Sequence, residues 1–228
     1  MDVLLFSGGV DSSVVACMLK MRGVEFVAVT FDAPFISRRQ IKMAKKIARV
    51  LGLRHRIIKL EVDERFWENP KDRCYMCKRR MLELISIGLE PKRIYDGTNK
   101  DDLGDIRPGL RVNEEFGVIS PLRDLSKSEV REMAKRLGLP NWNEPSESCL
   151  ATRIAGKIEP ELLRIVEEAE NFLRSMGFRK VRVRYELGNA RVEVDDPKRA
   201  FELGEKILRR LKEIGFRRVS IDLEARKD

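Results

Sequence analysis

The sequence predicts an α/β protein in which a doubly wound parallel sheet is followed by a second, smaller α+β domain. Short apolar runs alternate with segments of helical periodicity in the first part of the chain, as in parallel sheets covered by helices on both faces. After Pro140, a polar and irregular stretch leads into a helix–strand–strand–helix–strand pattern. These two patterns predict two domains, over residues 1–152 and 153–228.

In the first domain, each predicted strand is a short apolar run, and each predicted helix has apolar residues every three to four positions. Ser126 is expected to cap a helix, with Glu129 completing a capping box. The predicted strands are 3–6, 25–31, 54–60, 93–95 and 118–120. The predicted helices are 14–21, 37–51, 73–87 and 127–137.

In the second domain, Pro160 is expected to open a helix, since proline fits the first turn of a helix. Two alternating apolar and polar runs joined around Gly188 are typical of paired strands. The predicted elements are a helix over 160–176, strands over 180–185 and 190–194, one helix over 197–214 and a last strand over 218–223.

Composition excludes two broad classes of protein. With 43% hydrophobic and 36% charged residues, the chain is too apolar to be disordered and too charged for a membrane protein. The net charge of +9 divides into +5 before residue 151 and +4 after it, with both signs interspersed. This charge does not demand a nucleic-acid partner, although it leaves one open. We expect a cytoplasmic homo-oligomer with no membrane partner.

The most informative segment is residues 7–13 (SGGVDSS), between the first strand and the first helix. Glycines allow the backbone to turn tightly, and the N–H groups and dipole at a helix start bind phosphate. The segment lacks the Gly-Lys-Ser/Thr ending of a Walker A loop and is not a G-x-G-x-x-G turn. It therefore predicts a different kind of phosphate-binding loop.

A second polar segment, residues 96–102 (DGTNKDD), ends the predicted strand 93–95. The carboxyl ends of parallel strands meet at the ligand-binding edge of a doubly wound sheet, so a functional role is expected. A plain surface turn rich in Asn, Asp and Gly is the alternative.

Four cysteines occur, and two of them have Cys-x-x-Cys spacing. Cys74 and Cys77 suit redox, metal or catalytic chemistry, and a disulfide between them is the alternative. Cys149 lies in a polar stretch with Arg153 four residues later, and a nearby guanidinium favours the nucleophilic thiolate. The alternative for Cys149 is a small buried side chain. Cys17 lies in an apolar helix, where a structural role is expected.

The segments SGGVDSS, RCYMCK, DGTNKDD, PLRDLSKSEVR and PSESCLATRI together resemble the PP-loop ATP-pyrophosphatases. Within that superfamily they resemble the ATP-dependent sacrificial sulfur transferase (LarE-type) family of nickel-pincer nucleotide biosynthesis. The resemblance runs from Val3 to about Val194. It implies an adenine nucleotide alpha hydrolase-like fold, a PP-loop domain over residues 1–152, and adenylation of pyridinium-3,5-biscarboxylic acid mononucleotide with release of pyrophosphate.

The resemblance also implies roles for individual residues, with ATP and magnesium as cofactors and a small-molecule nucleotide as substrate. Asp11 would assist magnesium binding and catalysis, and Asp32 would lie beside adenosine. Arg153 would complete the cofactor-binding residues. Ser13, also among the implied cofactor-binding residues, would support the turn. The remaining implied contacts to pyrophosphate, ribose and substrate are Ser7, Gly8, Gly9, Ser12, Gly97, Thr98 and Asn99.

Cys149 matches the sacrificial nucleophile of the family, whose thiolate displaces AMP and whose C–S bond then breaks to leave dehydroalanine. Alternatively, Cys74, Cys77 and Cys149 would hold a [4Fe–4S] cluster that carries an added sulfide. A tRNA thiolation enzyme, an NAD or GMP synthetase-like amidotransferase and a non-enzymatic nucleotide sensor are the competing functions.

The chain departs from the family pattern in the strand over 190–194, because a His-Gly pair that usually precedes it is absent. For Arg191 and Glu193, a role in the site and a solvent-facing position on the strand are therefore both open.

Overall fold

The computed structural model describes residues 1–104 and 108–227, which divide into two compact units. The first unit comprises Met1–Phe66 and Pro70–Glu144, and the second comprises Trp67–Asn69 and Pro145–Asp228. Residues 145–152, which the sequence analysis placed in the first domain, group with the second unit. No helix within the described ranges has the length and apolar character needed to cross a membrane.

The first unit contains a four-stranded, fully parallel sheet in the order β3-β2-β1-β4. The central strands β1 and β2 are almost entirely buried, which explains their continuous apolar runs. The predicted α/β fold with a parallel sheet is confirmed. The strands are β1 (Asp2–Leu5), β2 (Phe26–Asp32), β3 (His55–Lys59) and β4 (Ile94–Tyr95).

Among the described residues of this unit there are six α-helices, and three of them contribute to one apolar core with the sheet. Ser37 caps α2 by accepting a hydrogen bond from the Gln40 amide, and Ser126 and Glu129 form the predicted capping box of α6. The helices are α1 (Val10–Met21), α2 (Arg38–Val50), α3 (Arg73–Leu89), α4 (Lys100–Leu103), α5 (Pro108–Glu115) and α6 (Lys127–Arg136).

Three features of the first unit differ from the sequence prediction. Helix α1 begins at Val10, not at residue 14, so four of the seven residues of the SGGVDSS segment are helical. The predicted strand 118–120 is reduced to a single bridge between Tyr95 and Ile119, since β4 itself is only two residues long. Helices α4 and α5 were not predicted, and neither was a 3-10 helix over Glu64–Glu68 whose last two residues group with the second unit. Each is too short to show a clear period.

The second unit contains a three-stranded sheet in the order β5-β6-β7, with β5 antiparallel and β7 parallel to β6. The predicted single helix over 197–214 is wrong: the segment forms two helices that separate at Leu203, where the poor helix former Gly204 follows. The elements are a 3-10 helix (Leu150–Arg153), α7 (Pro160–Ser175), β5 (Val181–Glu186), β6 (Asn189–Val194), α8 (Pro197–Glu202), α9 (Gly204–Ile214) and β7 (Arg218–Ile221).

Candidate active site

The SGGVDSS segment forms a tight turn from β1 into α1. Gly8 has φ +73°, and a Cβ there would lie 2.5 Å from the Ala44 Cα, so only glycine allows this packing against α2. Gly9 precedes the helix in an extended conformation and provides no side-chain cap. The first N–H groups of α1 therefore point out of the helix without a capping partner, which is the geometry that binds phosphate.

Serine hydroxyl groups brace this turn from inside. The Oγ atoms of Ser12 and Ser13 donate to the Gly9 carbonyl at 3.2 and 2.7 Å, and Ser7 Oγ accepts from the Gly9 amide at 3.2 Å. Ser7 and Ser12 are also within hydrogen-bond distance of each other, at 3.2 Å. These hydrogen bonds stabilise the conformation of the turn.

Asn141 holds the same turn from a distant part of the sequence, and sequence reasoning missed it. Its side chain is buried, and Nδ2 donates to the Gly8 carbonyl at 2.9 Å and to Ser13 Oγ at 3.0 Å. No motif marks this asparagine, so only the fold reveals its role.

The two predicted ligand-binding segments meet at the carboxyl edge of the sheet. A Cβ on Gly97 would lie 3.0 Å from both the Asp11 Cβ and the Ser12 amide nitrogen, so the DGTNKDD segment packs directly on the first turn of α1. Asn99 caps α4 and shares a capping box with Asp102. Gly97 therefore packs against α1, and its predicted role in ligand binding stays a prediction.

Asp11 carries unfavourable charge in this arrangement. Burial and then repulsion from Asp102 raise the pKa of Asp11, although Asn99, Lys127 and Arg131 act in the opposite direction. A divalent cation would relieve this repulsion, and magnesium is usually held by one or two carboxylates together with phosphate oxygens. The donor set at Asp11 and Asp102 therefore fits magnesium bound with a nucleotide.

Asp96 organises a buried polar network that the sequence analysis did not single out. Its carboxylate accepts from Lys78 Nζ at 3.0 Å, Asn113 Nδ2 at 2.8 Å, Ser120 Oγ at 2.6 Å and Thr98 Oγ1 at 2.8 Å. Burial alone would raise the pKa of Asp96, but Lys78 and the three hydrogen-bond donors outweigh it, so the pKa lies below its ordinary value. The network fixes Thr98 and links this segment to α3, α5 and the residues before α6.

Asp32, at the end of β2, pairs with Arg38 at the start of α2. The Arg38 Nη2 lies 2.6 Å from Asp32 Oδ1 and also donates to the Ala33 carbonyl at 2.9 Å. The predicted position of Asp32 beside adenosine stays a prediction.

The three cysteines of the predicted cluster belong to different units. Cys74 is exposed and Cys77 partly buried, both on α3 of the first unit, whereas Cys149 lies just before the 3-10 helix of the second unit. All four cysteines of the chain fall in the described ranges, and no disulfide joins any of them. Across those ranges, no group of three or more His, Cys, Asp or Glu side chains is arranged to hold a metal ion.

Cys149 is partly exposed, and Arg153 holds its loop. Arg153 Nη1 donates to the carbonyls of Ser148 and Cys149 at 2.8 and 2.9 Å and to Ser148 Oγ at 2.6 Å. Arg153 Nε pairs with Glu170 at 3.0 Å, and both side chains are almost fully buried. Arg174 binds the other oxygen of Glu170 at 2.9 Å. The guanidinium of Arg153 thus contacts the backbone of the cysteine loop.

The same unit concentrates further guanidinium groups near Ser148. Arg182 Nη2 donates to Ser148 Oγ at 2.8 Å, while its buried Nε has no hydrogen-bond partner among the described residues. Burial, followed by the charges of Arg153, Arg226 and Arg184, lowers the pKa of Arg182 to about 10. Positive charge exceeds negative charge here, so this part of the unit would favour an anion.

Glu193 is the counter-charge in this cluster, and the solvent-facing reading of this residue is wrong. Its side chain is buried and is bound by Arg184 and by Arg226 Nη1, the latter at 2.8 Å. Arg191 is 3.7 Å away and remains partly exposed. Glu193 therefore lies among arginines. The alternation of apolar and polar residues along β6 does not by itself reveal these partners.

Comparison with known proteins supports the resemblance inferred from the motifs. The family model for the queuosine biosynthesis protein QueC matches residues 1–71. Two uncharacterized proteins, slr1717 of Synechocystis and MJ0830 of Methanocaldococcus jannaschii, are 35% and 34% identical to the chain. Each alignment covers 97% of this chain, and 88% and 89% of the respective relative.

The pyridinium-3,5-bisthiocarboxylic acid mononucleotide synthase of Lactiplantibacillus plantarum is 32% identical, over 96% of this chain and 84% of that enzyme. The chain belongs to this synthase family. The LarE-type resemblance drawn from the motifs is confirmed.

As a member of the synthase family, the chain is an enzyme of the PP-loop ATP-pyrophosphatase and sulfurtransferase type. Membership of this family argues against the alternative of a non-enzymatic nucleotide sensor, and it favours sulfur transfer over amidotransfer as the reaction type.

Proposed function

We propose that the chain adenylates a carboxylate of pyridinium-3,5-biscarboxylic acid mononucleotide, releases pyrophosphate and transfers sulfur through Cys149. The main observation behind this proposal is that Gly97 packs on the first turn of α1. This packing brings the polar segment 96–102 next to the glycine-rich turn that we propose binds phosphate. The name of the Lactiplantibacillus plantarum relative specifies the bisthiocarboxylic product. We also propose a cytoplasmic homo-oligomer.

The first step uses the turn between β1 and α1. The uncapped N–H groups of α1 and the hydroxyls of Ser7 and Ser12 bind the β- and γ-phosphates of ATP. Asp11 and Asp102 would hold magnesium, which neutralises phosphate charge as it develops. An oxygen of the substrate carboxylate attacks the α-phosphorus, and the bond to pyrophosphate breaks to leave an acyl adenylate.

The second step uses the thiolate of Cys149. The sulfur attacks the acyl carbon, a thioester forms, and AMP leaves with the electron pair of the broken C–O bond. Loss of the Cys149 Cα proton to a base then breaks the Cβ–S bond, leaving a thiocarboxylate on the substrate and dehydroalanine at position 149. The arginines that fix Ser148 and Cys149 keep this loop in one conformation for the attack.

Neither the adenylation nor the sulfur transfer proposed above uses an iron–sulfur cluster. The structure describes no three-ligand group for a metal, and the cluster held by Cys74, Cys77 and Cys149 stays a prediction. Its test is separate from that of the sacrificial route.

The proposal is tested by incubating the chain with ATP, magnesium and the dicarboxylate mononucleotide. Pyrophosphate should appear only when substrate is present, and the protein should lose the mass of one hydrogen sulfide molecule at Cys149. Orthophosphate as the first product would contradict the adenylation step. An unchanged protein mass alongside thiocarboxylate product would contradict the sacrificial step.

A further inference from the structure

The net charge of the chain is concentrated in one short segment. Nine Lys and Arg residues and no Asp or Glu lie between Ala33 and Leu60. The other 37 basic residues equal the 37 acidic residues in number, so this segment carries the entire net charge of +9. The net charges of +5 before residue 151 and +4 after it do not reveal this concentration.

Helix α2 displays four of these charges as a stripe. Its buried side, including Ile41 and Ile47, packs into the core. Lys42, Lys45, Lys46 and Arg49 are exposed, and their spacing of i, i+3, i+4 and i+7 places them on one face over a length of about 10 Å.

Within the part of the chain that the structure describes, these four side chains have no counter-charge. Arg38 and Arg39, at the start of the helix, pair with Asp32 and Glu144. By contrast, the four residues of the stripe make no ion pair or side-chain hydrogen bond with any residue in 1–104 or 108–227. Their charge is therefore available to an external anion.

The stripe continues towards the sheet edge formed by β3. The charge of Lys45, after burial, lowers the pKa of His55, which places Lys45 near the start of this strand. Side chains two and four positions along a strand share a face, so Lys59 lies on the same face as His55. Lys59 is exposed and likewise makes no ion pair among the described residues.

We propose that this basic face, comprising Lys42, Lys45, Lys46, Arg49 and Lys59, binds the phosphate backbone of a nucleic acid. A row of exposed cations without interspersed carboxylates complements the closely spaced charges of such a backbone. The contacts would be independent of base sequence, because they reach phosphates only.

The exposed apolar residues argue against the other macromolecular partners. On α2 and β3, the exposed large hydrophobic side chains are Val50 and Ile57, and neither is aromatic. Protein interfaces usually have an apolar and aromatic centre, and membrane-surface helices insert several apolar side chains. The basic face offers neither, whereas phosphate binding needs only the cations. This activity is separate from the proposed sulfur transfer.

The test measures binding of the full chain to a short, labelled DNA duplex of mixed sequence by fluorescence anisotropy. Between about 50 and 200 mM salt, log K should fall with log salt with a slope of about −4, as four or five neutralised phosphates require. Lys45→Glu/Lys46→Glu should weaken binding at least about tenfold and flatten the slope by roughly two.

A matched control is Lys206→Glu/Arg209→Glu, which makes the same change in net charge at exposed positions of α9. This control should weaken binding far less than the α2 variant. Equal losses would show that net charge alone attracts the duplex and would overturn the site. Absence of binding at the lowest salt, or tighter binding of polyglutamate than of DNA, would overturn the nucleic-acid assignment. Thermal melting of both variants verifies that the fold is intact.

Discussion

Arg153 and Glu170 form an ion pair in which the side chains are only 2% and 1% exposed, with Arg153 Nε 3.0 Å from Glu170 Oε1. The same carboxylate accepts from the Val183 amide at 3.2 Å, so it connects the Cys149 loop, α7 and β5. From the sequence, Arg153 is expected to bind cofactor or to favour the Cys149 thiolate. Its contacts to the carbonyls of Ser148 and Cys149 add a role in holding the loop.

Glu170→Gln is therefore expected to destabilise the protein strongly. The substitution leaves Arg153 buried without its counter-charge, which costs about 3–5 kcal/mol. Urea unfolding measures the loss. The control is Glu161→Gln, which breaks an exposed pair with Arg164 on α7 and should leave the unfolding midpoint essentially unchanged. Equal effects of the two substitutions would contradict a special role for the buried pair.

Asp11→Asn should stabilise the fold at neutral pH while abolishing pyrophosphate release. Because the pKa of Asp11 is raised in the folded state, its favourable contribution exists below the ordinary value of 3.8 and is lost as pH rises through the raised pKa. A neutral amide removes the repulsion from Asp102 but cannot assist magnesium. Melting temperature and a pyrophosphate assay on the same variant test both effects. A lower melting temperature at neutral pH would contradict the first.

Asp96→Asn should have the opposite effect on stability. The folded-state pKa of Asp96 is lowered, so its contribution is present above the ordinary value of 3.8 and is lost as pH falls through the lowered pKa. The variant should thus melt below the parent chain at neutral pH, and the difference should shrink in acid. A difference independent of pH would mean that lost packing, not the charge paired with Lys78, explains the effect.

Cys149→Ala should still release pyrophosphate in the presence of substrate but should transfer no sulfur. The alanine leaves the backbone carbonyl that Arg153 binds, so the loop should keep its conformation. Cys17→Ala is the control, because Cys17 lies on α1, packs against the core and should not affect sulfur transfer. Sulfur transfer by the Cys149→Ala variant would show that another residue carries the sulfur.

The predicted cluster is tested by anaerobic reconstitution with iron and sulfide. Three thiolates around one [4Fe–4S] cluster should give a broad visible absorbance band that Cys77→Ala and Cys149→Ala both lose. The Cys17→Ala chain should retain the band. If the band persists in the Cys149→Ala variant, Cys149 is not a cluster ligand, and its proposed role is then that of the sacrificial sulfur donor.

Short-range patterns account for the parts of the fold that were predicted from sequence. The buried runs of β1 and β2, the capping box of Ser126 and the glycine-rich turn after β1 each depend on residues close together in the chain. The break at Leu203 was missed because the apolar period continues across it, from Ala200 to Ile207. The spacing of apolar residues indicates which side of a segment is buried, but it does not indicate whether that side belongs to one helix or to two.

The sequence by itself determined the fold class, the glycine-rich turn after β1 and the synthase family, since each is encoded in local spacing or contiguous motifs. Only the tertiary structure decided which residues support those motifs. Asn141 reaches Gly8 across 133 positions, and Gly97 packs on Asp11, through contacts that no local pattern records. The charges of residues 38–60 were visible in the sequence, yet only helix geometry aligns four of them on one exposed face. The physical reason is that burial and charge pairing act between side chains that folding brings together, whatever their separation along the chain.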